Sequence, residues 1–275
     1  MSATITVESH PSVERSPRIR IGPATAARHG MILASRNIRY LVRTPASLID
    51  TVIQPILFLL VFVFLFGGAI AGGWQDYLQT LVPGLMVQIT MYASIGTGMA
   101  LNTDISKGVF DRFRSLPIAR SAPLVGAVFG DVIRYVVALT VLLLLAFALG
   151  FRIQTDPLSA LLACALVVVF GLTLCWMSVI IGMVAAGPQA VPGIAMAVIL
   201  PLTFGSNIFA DPETMPGWLE LWVGINPVTY FVEAVRGLML GGPTLVPILI
   251  SLGAVACIQI VLMPLALRAY MRRVR

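Results

Sequence analysis

Six apolar runs decide what this chain of 275 residues can fold into. They lie near residues 49–70, 77–101, 124–149, 158–185, 191–209 and 245–269. A helix needs about 20 predominantly apolar residues to cross the hydrocarbon core of a bilayer. Inside that core a helix satisfies every backbone polar group within its own segment. The runs therefore predict an all-α membrane protein with six transmembrane helices. Composition agrees: 58% of residues are hydrophobic and 11% charged, against about 25% charged in a soluble domain. Pro55, Pro83, Pro201, Pro247 and Pro264 fall near or inside span ends, where neighbouring helices or water supply partners for the freed carbonyls.

The basic residues orient the bundle. Seven precede the first run, from Arg15 to Arg43. Lys107, Arg112, Arg114 and Arg120 lie in the second connection, and Arg268, Arg272, Arg273 and Arg275 lie at the end. Fifteen of the 18 thus fall on one side, and the positive-inside rule makes that side cytoplasmic. The expectation is a multi-pass protein of the cell membrane (inner or plasma) with both termini in the cytoplasm. The net charge of +6 is then topological, and nucleic acid is not an expected partner, because no compact basic soluble domain remains to carry it.

Residues 1–23 are polar, carry three prolines, and are expected to form a disordered cytoplasmic tail. No cleavable signal peptide is expected, since the first long apolar run starts too late. Residues 24–43 read as an amphipathic helix. At 100° per residue Arg28, Arg36, Arg39 and Arg43 fall within an arc of about 80°, opposite Met31, Ile38 and Leu41. Such a helix lies in the interface with its arginines on the phosphates of anionic lipids; an ordinary solvated basic helix is the alternative. Cys164, Cys175 and Cys257 all sit in apolar runs, without disulfide or metal spacing, and read as small packing residues. No metal site is expected.

Residues 103–123 form the long charged connection. Within it, Lys107, Arg112 and Arg114 alternate with Val109, Phe110, Phe113 and Leu116 as far as Pro117. Phe110 and Phe113 are three apart and share a helical face, the form of a short helix whose aromatic anchor fits a partner's groove. A plain positive-inside loop is the alternative. Gly126 and Gly130 form a small-xxx-small pair at the start of the third span. Asp131 and Arg134 follow, three apart. Opposite charges within a span are costly unless matched, so they read either as a structural ion pair or as a link between the basic loop and the transport path. Gln54, Gln88, Thr90, Ser94, Thr97, Asn102, Asn207 and Gln259 are scattered through the spans. Hydrogen bonding between helices is their expected use, with a weakly polar path as the alternative.

Residues 211–242 are not a simple hydrophilic loop. Trp218, Leu221, Trp222 and Ile225 follow helical spacing, Asn226-Pro227 breaks the helix, and a second apolar stretch carries Tyr230, Glu233 and Arg236 before Gly241-Gly242-Pro243. Two helices too short to cross predict a re-entrant hairpin ahead of the last span, allowed at depth when covered by protein or facing water. An aromatic belt at the outer interface is the alternative.

The sequence contains no G-x-x-x-x-G-K-[ST] phosphate loop, and Lys107 is its only lysine. Nor does it hold an H-E-x-x-H or G-x-S-x-G motif. Energy for active transport must come from another chain or from an ion gradient.

Three stretches carry a resemblance: FRSLPIARSAPLVGAVFGDVIR at 113–134, LGFRI at 149–153, and INPVTYFVEAVRGLMLGG at 225–242. Together with the span order they resemble the permease subunits of ABC-2-type exporters, in particular the daunorubicin-resistance permease group of actinobacteria. The resemblance covers 24–275 as one ABC-2-type transmembrane domain. It implies a permease, not an enzyme, that moves hydrophobic or amphipathic drug-like compounds out of the cell. It also implies an ABC ATPase subunit that binds ATP and Mg²⁺ in place of any cofactor here, and a second permease copy, identical or not. It makes Lys107, Phe110, Arg112, Phe113, Arg114, Ser115, Leu116 and Pro117 the ATPase-coupling segment. The hairpin residues Trp218, Trp222, Asn226, Pro227, Tyr230, Glu233 and Arg236 would stand near the outer mouth. Export of a lipid or lipid-linked glycan, and a structural membrane subunit without transport, are the alternatives.

Overall fold

The computed structural model describes residues 45–108 and 122–273, with side chains over 51–108 and 130–269. The interfacial helix expected at 24–43, with Arg28, Arg36, Arg39 and Arg43, lies outside the described residues. So do the tail at 1–23 and positions 109–121 of the basic connection.

All regular structure among the described residues is helical. Helix α1 (Pro45–Val61) continues through a π-helical turn (Phe62–Phe66) into Gly67–Ala71. Next come α2 (Trp74–Ser106), α3 (Ala122–Leu149), α4 (Pro157–Val184) and α5 (Ala190–Phe204). A 3₁₀ turn (Pro212–Thr214), α6 (Gly217–Ile225), α7 (Pro227–Leu240) and α8 (Leu245–Arg273) complete the order.

Five of these segments are long and apolar enough to cross a membrane: Thr51–Ala71, α2, Gly130–Leu149, α4 and Leu245–Ala269. The remaining expected span, 191–209, the fifth in chain order, departs from this. Its helix α5 has 15 residues, about 22 Å at 1.5 Å per residue, and ends at Gly205. The chain from Gly205 to Ala210 continues without helix. A second correction concerns the basic connection. Residues 103–106 belong to α2, so that connection begins at Lys107.

Helix α2 is the centre of the bundle. It is buried along most of Tyr77–Asn102, and α3, α4, α5 and α7 pack around it, α4 most extensively. The α2–α4 contact is close because glycines face it. A Cβ on Gly98 would collide with the Ser178 carbonyl oxygen, and one on Gly182 with the Gly98 carbonyl oxygen. Small residues permit such backbone approach between membrane helices. Phe170 of α4 stacks on Phe231 of α7 at 4.0 Å between ring centroids. Phe62, at the π turn, stacks on Phe209 at 4.4 Å, joining α1 to the segment after α5.

The perimeter is apolar. Helix α8 packs on α4 and α7 yet exposes Leu245, Val246, Leu249, Ile260 and Val261. Helix α1 exposes Leu57, and the π-helical turn after it exposes Phe64 and Leu65. In water such a surface would drive association, whereas in lipid it is the ordinary outer face.

Two tight turns depend on glycine. Gly72, with φ 71°, caps the first span, and Gly73 leads straight into α2. Gly241 and Gly242, with φ 87° and 118°, turn the chain from α7 toward α8. A side chain at these backbone angles is strained.

Candidate functional site

Among the described residues, two polar clusters lie within the apolar bundle. The first is a junction of α2, α3 and α4. Helical spacing places Asp131, Arg134 and Tyr135 on one face of α3. Arg134 Nη1 lies 3.2 Å from Asp131 Oδ1 and donates to the Ala93 carbonyl of α2 at 3.2 Å. Asp131 is buried, and its Oδ2 accepts from the Cys175 thiol of α4 at 3.3 Å. The Tyr135 hydroxyl lies 2.9 Å from Cys175 Sγ and donates to the Gly171 carbonyl at 3.2 Å. Thr97 of α2 donates to the same sulfur at 3.8 Å. Two glycines leave the room. A Cβ on Gly96 would overlap Arg134 Nη1, and one on Gly171 would overlap the Thr90 methyl and the Tyr135 ring.

The ion pair expected from spacing is thus present, and Cys175 has more than a packing role. The other two cysteines also depart from the expectation of small buried residues: Cys164 is half-buried and Cys257 exposed. Hydropathy marks a cysteine as apolar and gives no sign of its hydrogen bonds. The signal that was available is Tyr135, one position after Arg134 on the face that turns to α4.

The second cluster gathers at the other end of α2. Asn226 lies between α6 and α7 and is 3% exposed. Its Nδ2 donates to the Leu202 carbonyl at 2.8 Å and the Gly205 carbonyl at 2.6 Å, two acceptors at the end of α5. Its Oδ1 accepts from the Val228 N–H at 3.0 Å and caps α7, with Pro227 at the first helical position, where a missing N–H costs nothing. Thr229 Oγ1 donates to the Val223 carbonyl and Tyr230 Oη to the Gly224 carbonyl, at 2.8 and 2.7 Å. These bonds fold α7 back against α6.

Asn207 is a hub of this cluster. Its amide donates to Glu233 Oε1 at 3.2 Å, and its carbonyl accepts from Arg236 Nη2 at 3.1 Å. Arg236 also reaches the Thr80 carbonyl of α2 at 3.3 Å. Tyr77 Oη donates to the Phe209 carbonyl at 2.9 Å. The α3–α4 turn joins in. Gln79 spans the Gly150 carbonyl and the Arg152 N–H, while Gln154 N–H and Thr155 Oγ1 donate to the carbonyls of Met239 and Leu238. Beyond that turn Asp156 caps α4 by accepting from the Ser159 N–H and hydroxyl at 3.0 and 2.8 Å. Those bonds hold its carboxyl below the ordinary range.

The aromatic stripe of α6 points outward: Trp218, Leu221, Trp222 and Ile225 are all exposed. Lys107 is exposed at the end of α2, and Phe110, Arg112, Phe113, Arg114, Ser115, Leu116 and Pro117 lie outside the described residues. The scattered polar residues of α2 turn inward. Thr90 and Ser94 donate to carbonyls of their own helix, Gln88 reaches Tyr92, and Asn102 donates to the Gly182 and Ala185 carbonyls of α4 at 2.8 and 3.0 Å.

Comparison with known proteins fits this architecture. The family model described as ABC-2 type transporter matches residues 29–240. The chain is 44% identical to the daunorubicin resistance ABC transporter permease protein DrrB1 of Streptomyces coeruleorubidus, over 82% of this chain and 80% of that protein. It is 27% identical to the doxorubicin resistance ABC transporter permease protein DrrB of Mycobacterium tuberculosis, over 84% of this chain and 85% of that protein.

Proposed function

Because this chain belongs to the ABC-2 type transporter family, we propose that it carries amphipathic, drug-like molecules of the daunorubicin and doxorubicin kind out of the cell. The chain is an ABC transporter permease and not itself an enzyme; ATP is hydrolysed by a separate subunit. ATP and Mg²⁺ belong to that subunit, and this chain needs no cofactor of its own.

The single observation that carries the coupling assignment is the position of the only long basic connection. It starts where α2 ends, at Lys107, and returns at Ala122 where α3 begins. Phe110 and Phe113 would seat in the ATPase, with Arg112 and Arg114 flanking them. Both termini then face the cytoplasm. That requires a sixth crossing, made by α5 together with Gly205–Ala210. Buried Ser206, Asn207 and Ile208 support it, since irregular backbone is tolerated at membrane depth only where protein covers it. Asn226 supplies donors for the end of α5. Residues 24–43 would lie on anionic lipid at the inner face. Residues 211–242 would form the re-entrant hairpin near the outer mouth, and a second permease copy would complete the path.

The test is the double change Phe113→Ala/Arg114→Glu in cells that express the permease with its ATPase. Expected is loss of ATPase co-purification and of doxorubicin efflux at unchanged permease level in the membrane. Retention of both would overturn the coupling assignment.

A further inference from the structure

The junction of Asp131, Arg134, Tyr135 and Cys175 lies between the two helices that the basic connection joins. Ala93 is 13 residues before the end of α2, and Arg134 is 12 residues after the start of α3. At 1.5 Å per residue these are arms of about 20 and 18 Å. A push on the connection reaches both arms. If nothing ties them, the helices splay and the displacement is lost locally. If they are tied, they move together.

The tie is polar and specific. Arg134 bridges the Ala93 carbonyl of α2 and its own Asp131, in a notch that only a glycine at position 96 leaves open. Asp131 and Tyr135 bind α3 to Cys175 and Gly171 of α4. Stability does not explain the choice of residues. Well-packed apolar side chains of similar volume hold helices as firmly as a buried ion pair, or more firmly, and charges within a membrane are costly. What the pair adds is a fixed register between helices. At the other end of α2, Gln79 holds the Gly150 carbonyl and the Arg152 N–H, so α3 is fastened to α2 at two levels.

We propose that Arg134 is a positioning residue that locks α2 and α3 onto α4 as one body, so that force from the ATPase reaches the outer hairpin undiminished. This rests on the coupling role assigned to the basic connection. It identifies Gly96 and Cys175 as parts of the same device.

The experiment uses the permease–ATPase complex in liposomes and reads doxorubicin moved per ATP hydrolysed. Asp131→Asn/Arg134→Met removes both charges together, so no buried charge is left alone. Gly96→Ala expels the guanidinium from the opposite helix without touching a charge. Both are expected to lower drug moved per ATP by about two- to thirtyfold, with complex assembly and basal ATP turnover retained, and Arg134→Lys is expected to recover most of the loss. Wild-type drug per ATP in both variants would overturn the proposal.

A second measurement does not depend on transport. Spin labels at Met99→Cys and Val136→Cys, both exposed positions, are placed in a background lacking Cys164 and Cys257. Their separation is expected to stay constant when nucleotide binds to the wild-type complex and to change in Gly96→Ala. Labels that separate in the wild type would overturn the proposal while leaving the transporter reading intact. A wild-type chain that never associates with an ATPase would overturn that reading, and the lock with it.

Discussion

Asn226 gives the sharpest test of what holds the hairpin. One buried amide makes three hydrogen bonds, to the Leu202 and Gly205 carbonyls and from the Val228 N–H, at 2.8, 2.6 and 3.0 Å. Asn226→Ala removes all three. Loss of a helix cap costs about 1 kcal/mol. Hydrogen bonds between membrane helices contribute about 0.6 kcal/mol each on average and up to about 1.7. Two of them plus the cap give about 2–4 kcal/mol, or a melting temperature lower by roughly 5–15 °C for a chain of this size. The assay is thermal unfolding of the purified permease in mild detergent. Asn226→Asp separates hydrogen bonding from size. It keeps the acceptor for Val228 but turns a carboxylate oxygen toward two carbonyls, so it is expected to melt below Asn226→Ala. Pro227→Ala leaves all three bonds in place and is expected to lose less than either. An Asn226→Ala protein that melts with the wild type, or an Asp variant above the Ala variant, would refute the reasoning.

Two further outcomes follow from the packing. Gly98→Ala drives a methyl into the Ser178 carbonyl, and overpacking of this kind costs about 1–3 kcal/mol. Gly193→Ala in α5 meets nothing within 4 Å and is expected to gain about 0.5–1 kcal/mol, so the two variants should shift the melting temperature in opposite directions. Asp156 caps α4 with its carboxyl lowered by the Ser159 bonds. A group depressed in the folded state stabilises above its unfolded value, about 3.9, and that contribution fades as pH falls through the folded value. Asp156→Ala is therefore expected to lower the melting temperature at pH 7 and to match the wild type once the carboxyl is protonated in both states.

The all-helical bundle and its long spans were legible because apolar run length is a direct physical requirement of crossing lipid. The exception shows the limit. Residues 191–209 have the hydropathy of a span, yet Gly205 ends the helix and the next residues are held by side chains from elsewhere: Asn226 at Gly205, Arg236 at the Asn207 carbonyl, Tyr77 at Phe209. Hydropathy counts transfer free energy and is blind to such long-range bonds. The Asp131–Arg134 pair was legible from spacing alone, since two opposite charges three apart in a span must answer each other. Cys175 was not, because its partners come from α2 and α3, 78 and 44 residues away. Glu233 and Arg236 both touch Asn207, a contact across 26 and 29 residues that no local spacing reveals.

The burial pattern bears on where a cargo can travel. In a single chain that enclosed a path, the helices would ring a space and turn their polar residues toward it. Here the centre is occupied by α2, buried along most of its length. Its polar side chains are spent on its own carbonyls, on Tyr92, on Cys175 and on the α4 backbone. The exposed surface is instead the apolar perimeter of α1, α3 and α8. A lipid-soluble molecule meets that perimeter without leaving the bilayer, and the packed interior offers it little to displace at comparable cost. On the function proposed above, this arrangement favours a route along the outside of the chain, which the proposed second copy would wall on its far side. On the proposal above α2, α3 and α4 move as one rigid body, and the charges at Asp131 and Arg134 stand where α3 is fastened to α2 and α4.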